Sequence, residues 1–217
     1  MAHASLFRLG DQVNDFTAAG IAYFISTFIY YWWHRFRHES QFFWRLCHQL
    51  HHSPRRIEIL TSFYKHPVEI LLNSLLSSAI VYTLLGCNIQ AAAYYTFCTA
   101  IAEYFYHWNI KTPHWFGFLV QRPESHRVHH RHRHHTQNFA DLPVWDWLFG
   151  TLHNPRRSST RCGFDPWRED QFEDLLAFRD VHASSGLEQR SPLHLLPTCI
   201  GCRKRWACAA SRQEVVS

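Results

Sequence analysis

Three groups of histidines hold the chemistry of this chain. His34 and His38 stand at i and i+4, in an HxxxH box. His48, His51 and His52 stand at i, i+3 and i+4, and the same HxxHH pattern returns in His126, His129 and His130. On a helix these positions share a face, so each box aims its imidazoles in one direction. Clustered imidazole points to metal ligation. Iron, zinc, copper and nickel all accept it, so ligand type alone does not choose the metal.

Eight box histidines exceed the three or four that one zinc ion uses and suit two metals close together. The competing chemistries lack their own signatures. A zinc hydrolase would carry HExxH, which is absent. Soluble di-iron bundles use Glu and Glu-x-x-His, yet Glu and Asp are scarce near the boxes. A metal transporter would carry ionisable residues inside its spans, and only Glu69 and Glu103 qualify. A non-catalytic, histidine-rich metal-binding membrane protein is the alternative to an enzyme.

Composition agrees with a membrane site. Of 18 histidines, 15 lie between His34 and His153. The net charge of +5 suits an anionic membrane face and does not call for nucleic acid. Aromatics reach 16%, as in membrane-interface belts. Seven scattered cysteines give no disulfide framework. Cys199 and Cys202 form a CxxC, with Cys208 and His194 as weak further ligands, and read as ordinary tail thiols. Residues 1–15 show no cleavable signal peptide.

The elements that must position the boxes follow from hydropathy. Phe16 to Trp33 runs 18 residues without a charge and ends in Tyr-Tyr-Trp-Trp, which is interface chemistry. A straight helix would carry His48 about 21 Å beyond His34, so the chain must turn between them. Ser40 is the expected cap of a new helix over 41–52, which Ser53-Pro54 ends. Pro67–Gly86 and Ala91–Trp108 are two further apolar segments joined by the short link 87–90. They form an antiparallel hairpin that returns to the histidine side and delivers His107 there. Ser125 is expected to cap the third box helix, and Trp167–Val181 to form an amphipathic surface helix. His66, His114, His153, His182 and His194 read as structural or surface residues. One of His132, His134 and His135 is a candidate ligand or supporting partner. The 34–65 loop is rich in Arg and Lys and the 87–90 link has none, which places every box on the cytoplasmic face and the N-terminus on the other. The expected fold is all-α: a helical membrane bundle of about three spans with a cytoplasmic histidine-rich cap.

The order HxxxH, HxxHH, His107-Trp-Asn109, HxxHH and then Trp145-Asp146-Trp-Leu-Phe-Gly-Thr151 resembles the fatty acid hydroxylase / sterol desaturase superfamily over about residues 20–155. Gln121-Arg-Pro-Glu-Ser-His126 and Asn138-Phe-Ala-Asp-Leu-Pro143 are most similar to its bacterial sterol-desaturase-like branch. The resemblance implies an integral-membrane di-iron oxygenase that hydroxylates or desaturates a lipid C–H bond with O2 and two external electrons. It implies nine ligands to two irons: the eight box histidines and His107. Glu103, Asn109 and Asp146 are the expected supporting residues. With no nucleotide fingerprint in the chain, a ferredoxin or cytochrome b5 with its reductase would deliver electrons, docking on Arg122, Arg127, Arg131 and Arg133. Residues 1–155 then form the hydroxylase domain, 156–182 an amphipathic surface segment, and 183–217 a disordered tail that matches nothing in the family. Members commonly have four spans, which leaves one N-terminal helix of the pattern unaccounted for.

Overall fold

The computed structural model describes residues 5–132, 134–157 and 161–182. The expectations for Arg133, His194 and the Cys199/Cys202/Cys208 tail lie outside them. The described residues are helical and contain no strand, only an isolated antiparallel bridge between Arg131 and Cys162.

Helix α1, Asp15–Glu39, starts where the Asn14 side chain accepts from Thr17 N at 3.0 Å. Ser40 ends it, and its hydroxyl caps the next helical run. That run, α2, comprises Gln41–Phe43, a π turn Trp44–His48 and Gln49–His52. The turn at Ser40 agrees with the sequence expectation; the π turn has no sequence signal. Helix α3, Pro67–Ser78, continues through a second π turn, Ala79–Leu84. Pro67 takes the first helical position, and His66 Nδ1 accepts from Val68 N at 3.1 Å. His66 is therefore structural, as expected. Helix α4, Ile89–His107, begins at Asn88, which caps Ala91 N and donates to Asp15 at 2.5 Å. That bond holds the starts of α1 and α4 together, so the two run parallel and pack directly on each other, with α3 antiparallel to both.

Small residues allow the three long helices to approach closely. Ala18, Ala19 and Ala22 of α1 pack with Ile80, Val81, Ala91 and Ala92 in one buried cluster. Residues 6–10 hydrogen-bond to the backbone of 83–86, at the end of the bundle away from the histidines. Of the described helices, Pro67–Leu84 is long and apolar enough to cross a membrane by length and composition. Helices α1 and α4 have the length, with 25 and 19 residues, but Tyr, Trp, Ser and Thr dilute their apolarity.

The cap consists of short pieces: α5, Pro123–His129; α6, Pro143–Leu148; α7, Pro166–Glu169; and α8, Phe172–Leu176. The 3-10 turns Ile59–Phe63 and His114–Phe118 fill the corners. The single helix expected over 167–181 is instead two short helices, and Phe178 adopts φ +61°. Leu175 and Val181 turn inward onto Leu50 of the second box, so this stretch supports α2. Gln49 completes the attachment through Arg179 O and Val181 N. His182, expected at the surface, packs on Phe164 with ring centroids 4.5 Å apart.

Candidate metal centre

The structure brings all nine histidines singled out in the sequence together, in two groups. His34, His38, His48, His52 and His129 form one; His51, His107, His126 and His130 form the other. Within each group the nearest ring nitrogens lie within 4.8 Å of one another. The expectation that each HxxHH box points one way is corrected. The i and i+4 members, His48/His52 and His126/His130, stay together. The i+3 members, His51 and His129, cross to the other group. Each box therefore straddles both positions, and the two boxes interlock reciprocally. His34 and His38 complete the first group, His107 the second.

Short backbone links hold this arrangement. Gly163 N donates to His130 O and Phe164 N to Ser53 O, each at 3.0 Å, so one strap joins the ends of α2 and α5. Gly163 has φ +71°, and a Cβ there would collide with the Pro54 backbone. Helix α5 begins at Pro123, with Arg122 as cap; Ser125, the expected cap, lies buried inside it.

Hydrogen bonds fix the ring tautomers, which are inferred from their partners. Nδ1 of His34 donates to Phe139 O at 2.7 Å, of His107 to Glu103 O at 2.8 Å, and of His129 to Gln137 O at 2.8 Å. Nδ1 of His48 lies 2.9 Å from Glu69 Oε1 and 3.2 Å from the Arg37 guanidinium, and the closer carboxylate takes its proton. Gln121, oriented so that its amide donates to Asn138 O and Ala140 O, accepts from His126 Nδ1 at 2.7 Å. In each case the proton sits on Nδ1 and leaves Nε2 with a bare lone pair.

Those lone pairs face one another. His34 and His48 meet Nε2 to Nε2 at 3.0 Å, and so do His107 and His126. Nε2 of His129 is buried with no hydrogen-bond partner. Protonation does not relieve the contacts. Burial holds His48, His51, His52, His126 and His130 well below the ordinary imidazole range, and His129 at about 3. Converging, unprotonated, buried nitrogens repel unless a cation lies among them. The donor sets therefore fit metal ions, which both groups could bind.

The supporting residues differ in part from expectation. Asp146 acts at one remove: its carboxylate accepts from Phe139 N and Ala140 N at 2.9 Å, and Phe139 O holds His34. Burial pushes that carboxyl up to about 6. Glu103 reaches His107 through its backbone carbonyl, while its side chain pairs with Lys65. Asn109 is exposed and makes no side-chain hydrogen bond among the described residues. Glu69 and Gln121 are partners the sequence reading left without a role. Glu69 carried a signal, a costly carboxylate in an apolar segment; Gln121 carried only its place in the Gln-Arg-Pro-Glu-Ser-His stretch. His135 is half-buried, bonds His129 O at 3.2 Å and packs on His52, while His132 bonds Gly163 O. Neither joins a group. Arg122 is fully buried against Thr112 O and Pro155 O, so it cannot belong to a docking patch. Arg127 is half-buried and Arg131 exposed.

A cavity of about 450 Å³ runs from the centre between α1, α3 and α4. Its inner wall includes His34, His48, His51, His107 and His126, so it touches both groups.

A sequence model of the fatty acid hydroxylase family matches residues 19–151. An ornithine lipid hydroxylase of Rhizobium tropici is 32% identical over 146 residues, covering 64% of this chain and 43% of that protein. A sphingolipid C4-hydroxylase of Schizosaccharomyces pombe is 23% identical over 150 residues, 65% of this chain and 51% of that one. A methylsterol monooxygenase of Arabidopsis thaliana is 28% identical over 156 residues, with 68% and 57% covered. The chain thus spans about half the length of these relatives. No solved structure matches it with significance.

Proposed function

Since this chain belongs to the fatty acid hydroxylase family, we propose that it is a membrane-bound di-iron oxygenase acting on a lipid C–H bond. The observation that carries the reading is the pair of facing lone pairs, His34/His48 and His107/His126, each at 3.0 Å. Nine imidazoles in groups of five and four supply nitrogen donors for two ions. Bound iron would supply the redox chemistry, O2-dependent hydroxylation or desaturation with two external electrons.

The protein does the rest. Phe139 O, Glu69, Glu103 O, Gln121 and Gln137 O hold five ring protons away from the centre, so the same nitrogen of each ring faces inward. The cavity admits substrate alongside both groups. Burial of both HxxHH boxes keeps bulk water from the reacting region.

In this reading α1, α3 and α4 cross the bilayer. Large apolar side chains support it: Phe24 and Phe28 on α1, Leu71 and Leu75 on α3, and Phe97 and Ile101 on α4 turn outward. The basic 45–65 loop puts the histidine cap on the cytoplasmic side. There a ferredoxin or cytochrome b5 with its reductase delivers electrons, with Arg127, Arg131 and Arg133 as the basic contacts once Arg122 is set aside.

The test is turnover. Full-length protein purified with iron, given reductant and a lipid extract, should consume O2 in step with a new oxygenated lipid seen by mass spectrometry. Iron retained without coupled O2 uptake would favour a non-catalytic metal-binding membrane protein instead.

A further inference from the structure

The cavity wall above the histidines is unexpectedly polar for a path between apolar helices. Asn73, Ser74, Ser77 and Ser78 of α3 face it, with Tyr30 from α1 and Thr96 from α4. Ser74, Ser78 and Thr96 are exposed, so the cavity opens sideways between α3 and α4. Most of the hydroxyls are already engaged. Tyr30 donates to Asn73 O at 2.7 Å and contacts Ser77 at 2.8 Å, and Thr96 donates to Ala92 O.

Asn73 is different. Its carboxamide oxygen accepts from Trp33 Nε1 at 2.8 Å, which fixes the side chain. Its N–H2 group meets no acceptor among the described residues, although the residue lines the cavity. Asn73 stands one turn beyond Glu69, about 6 Å along the axis, and Glu69 bonds His48. Asn73 is half-buried, so a pair of oriented donors faces the cavity close to the metal centre, where a bound lipid chain would strip away their water.

We propose that Asn73 is a positioning residue whose N–H2 holds an oxygen carried along the chain of the substrate, so that the lipid taken is an oxygenated one, bearing a hydroxyl, ester or amide within the part that enters the bundle. This rests on the lipid-oxidising reading of the same site. A plain alkyl chain would leave both N–H donors unpaired and would meet hydroxyls where it needs apolar wall. An oxygen at Asn73 places the neighbouring carbons beside the histidines and sends the remaining chain through the opening between α3 and α4.

Equilibrium binding tests this without turnover. The probes are two radiolabelled phospholipids with the same head group, one stearoyl and one carrying a mid-chain ketone, whose oxygen can only accept, on metal-loaded, full-length protein in detergent. The keto lipid should bind about tenfold more tightly, the ratio expected for one well-made hydrogen bond in place of an unmet donor. Asn73→Asp keeps the acceptor for Trp33 and removes the N–H2. It should bring the ratio close to one while metal content and stearoyl binding stay as in the wild type. Asn73→Gln should restore part of the preference. Equal binding of both lipids by the wild type, or an undiminished preference in Asn73→Asp, would overturn the proposal. A protein that keeps the preference but oxidises no lipid would sink the oxygenase reading and leave the binding role of Asn73 standing.

Discussion

His48 Nδ1 donates to Glu69 Oε1 at 2.9 Å, and this one bond ties the second histidine box to the first turn of the apolar helix α3. Glu69 also pairs with Arg37, and both side chains are almost fully buried. Glu69→Gln keeps an acceptor but loses the charge. It should weaken metal retention about 10–100-fold, as loss of a partner to a ligating imidazole typically does. Glu69→Ala leaves a buried guanidinium unpaired and should cost on the order of 3–5 kcal/mol of stability. Metal analysis and thermal unfolding separate the two effects.

The reciprocal boxes give a stoichiometric prediction. His129→Ala removes a donor from the first group, and His126→Ala removes one from the second. Each should lower iron from about two ions per chain toward one, with the helices still folded. Full metal content and normal lipid oxidation in either variant would break the two-group assignment.

His107 and Glu103 should behave differently from each other. His107→Ala deletes a donor and should release the metal of the second group. Glu103→Gln leaves the backbone carbonyl that fixes His107 and changes only the pair with Lys65. Metal content in Glu103→Gln should match the wild type; a tenfold loss would show that the carboxylate itself supports the site.

Topology is open to cysteine labelling. Cys87 is buried and a poor reporter, whereas Gln90 and Arg131 are exposed. With Cys98, which is also exposed, and the tail cysteines Cys199, Cys202 and Cys208 replaced by Ser, Gln90→Cys and Arg131→Cys should label from opposite faces of the membrane. Labelling from one face would overturn the hairpin and the cytoplasmic cap.

The strap at 162–164 should be sensitive to one methyl group. Gly163→Ala must hold φ +71° and push into Pro54. The change should destabilise the protein by at least about 1 kcal/mol and separate the ends of the two HxxHH boxes, read out as lower melting temperature and lower metal content.

Much of this was legible in the sequence because it rests on local rules. Helical periodicity grouped the histidines into boxes, the 21 Å rise of a straight helix required the turn at Ser40, and the short 87–90 link required the hairpin that delivers His107. Periodicity names a face, however, and a face is wide enough to serve two targets. Only tertiary packing decided that His51 and His129 cross over, because that depends on where the ends of α2 and α5 meet under the Gly163 strap. The partners of the rings were hidden for a related reason. Carbonyls such as Phe139 O and Gln137 O carry no side-chain signature, and Glu103, an expected supporting residue, holds His107 through its backbone carbonyl, which any residue there would offer. The 167–181 stretch reads as one amphipathic helix by spacing, yet Leu175 and Val181 are drawn inward onto Leu50, and burial outweighs the helical period.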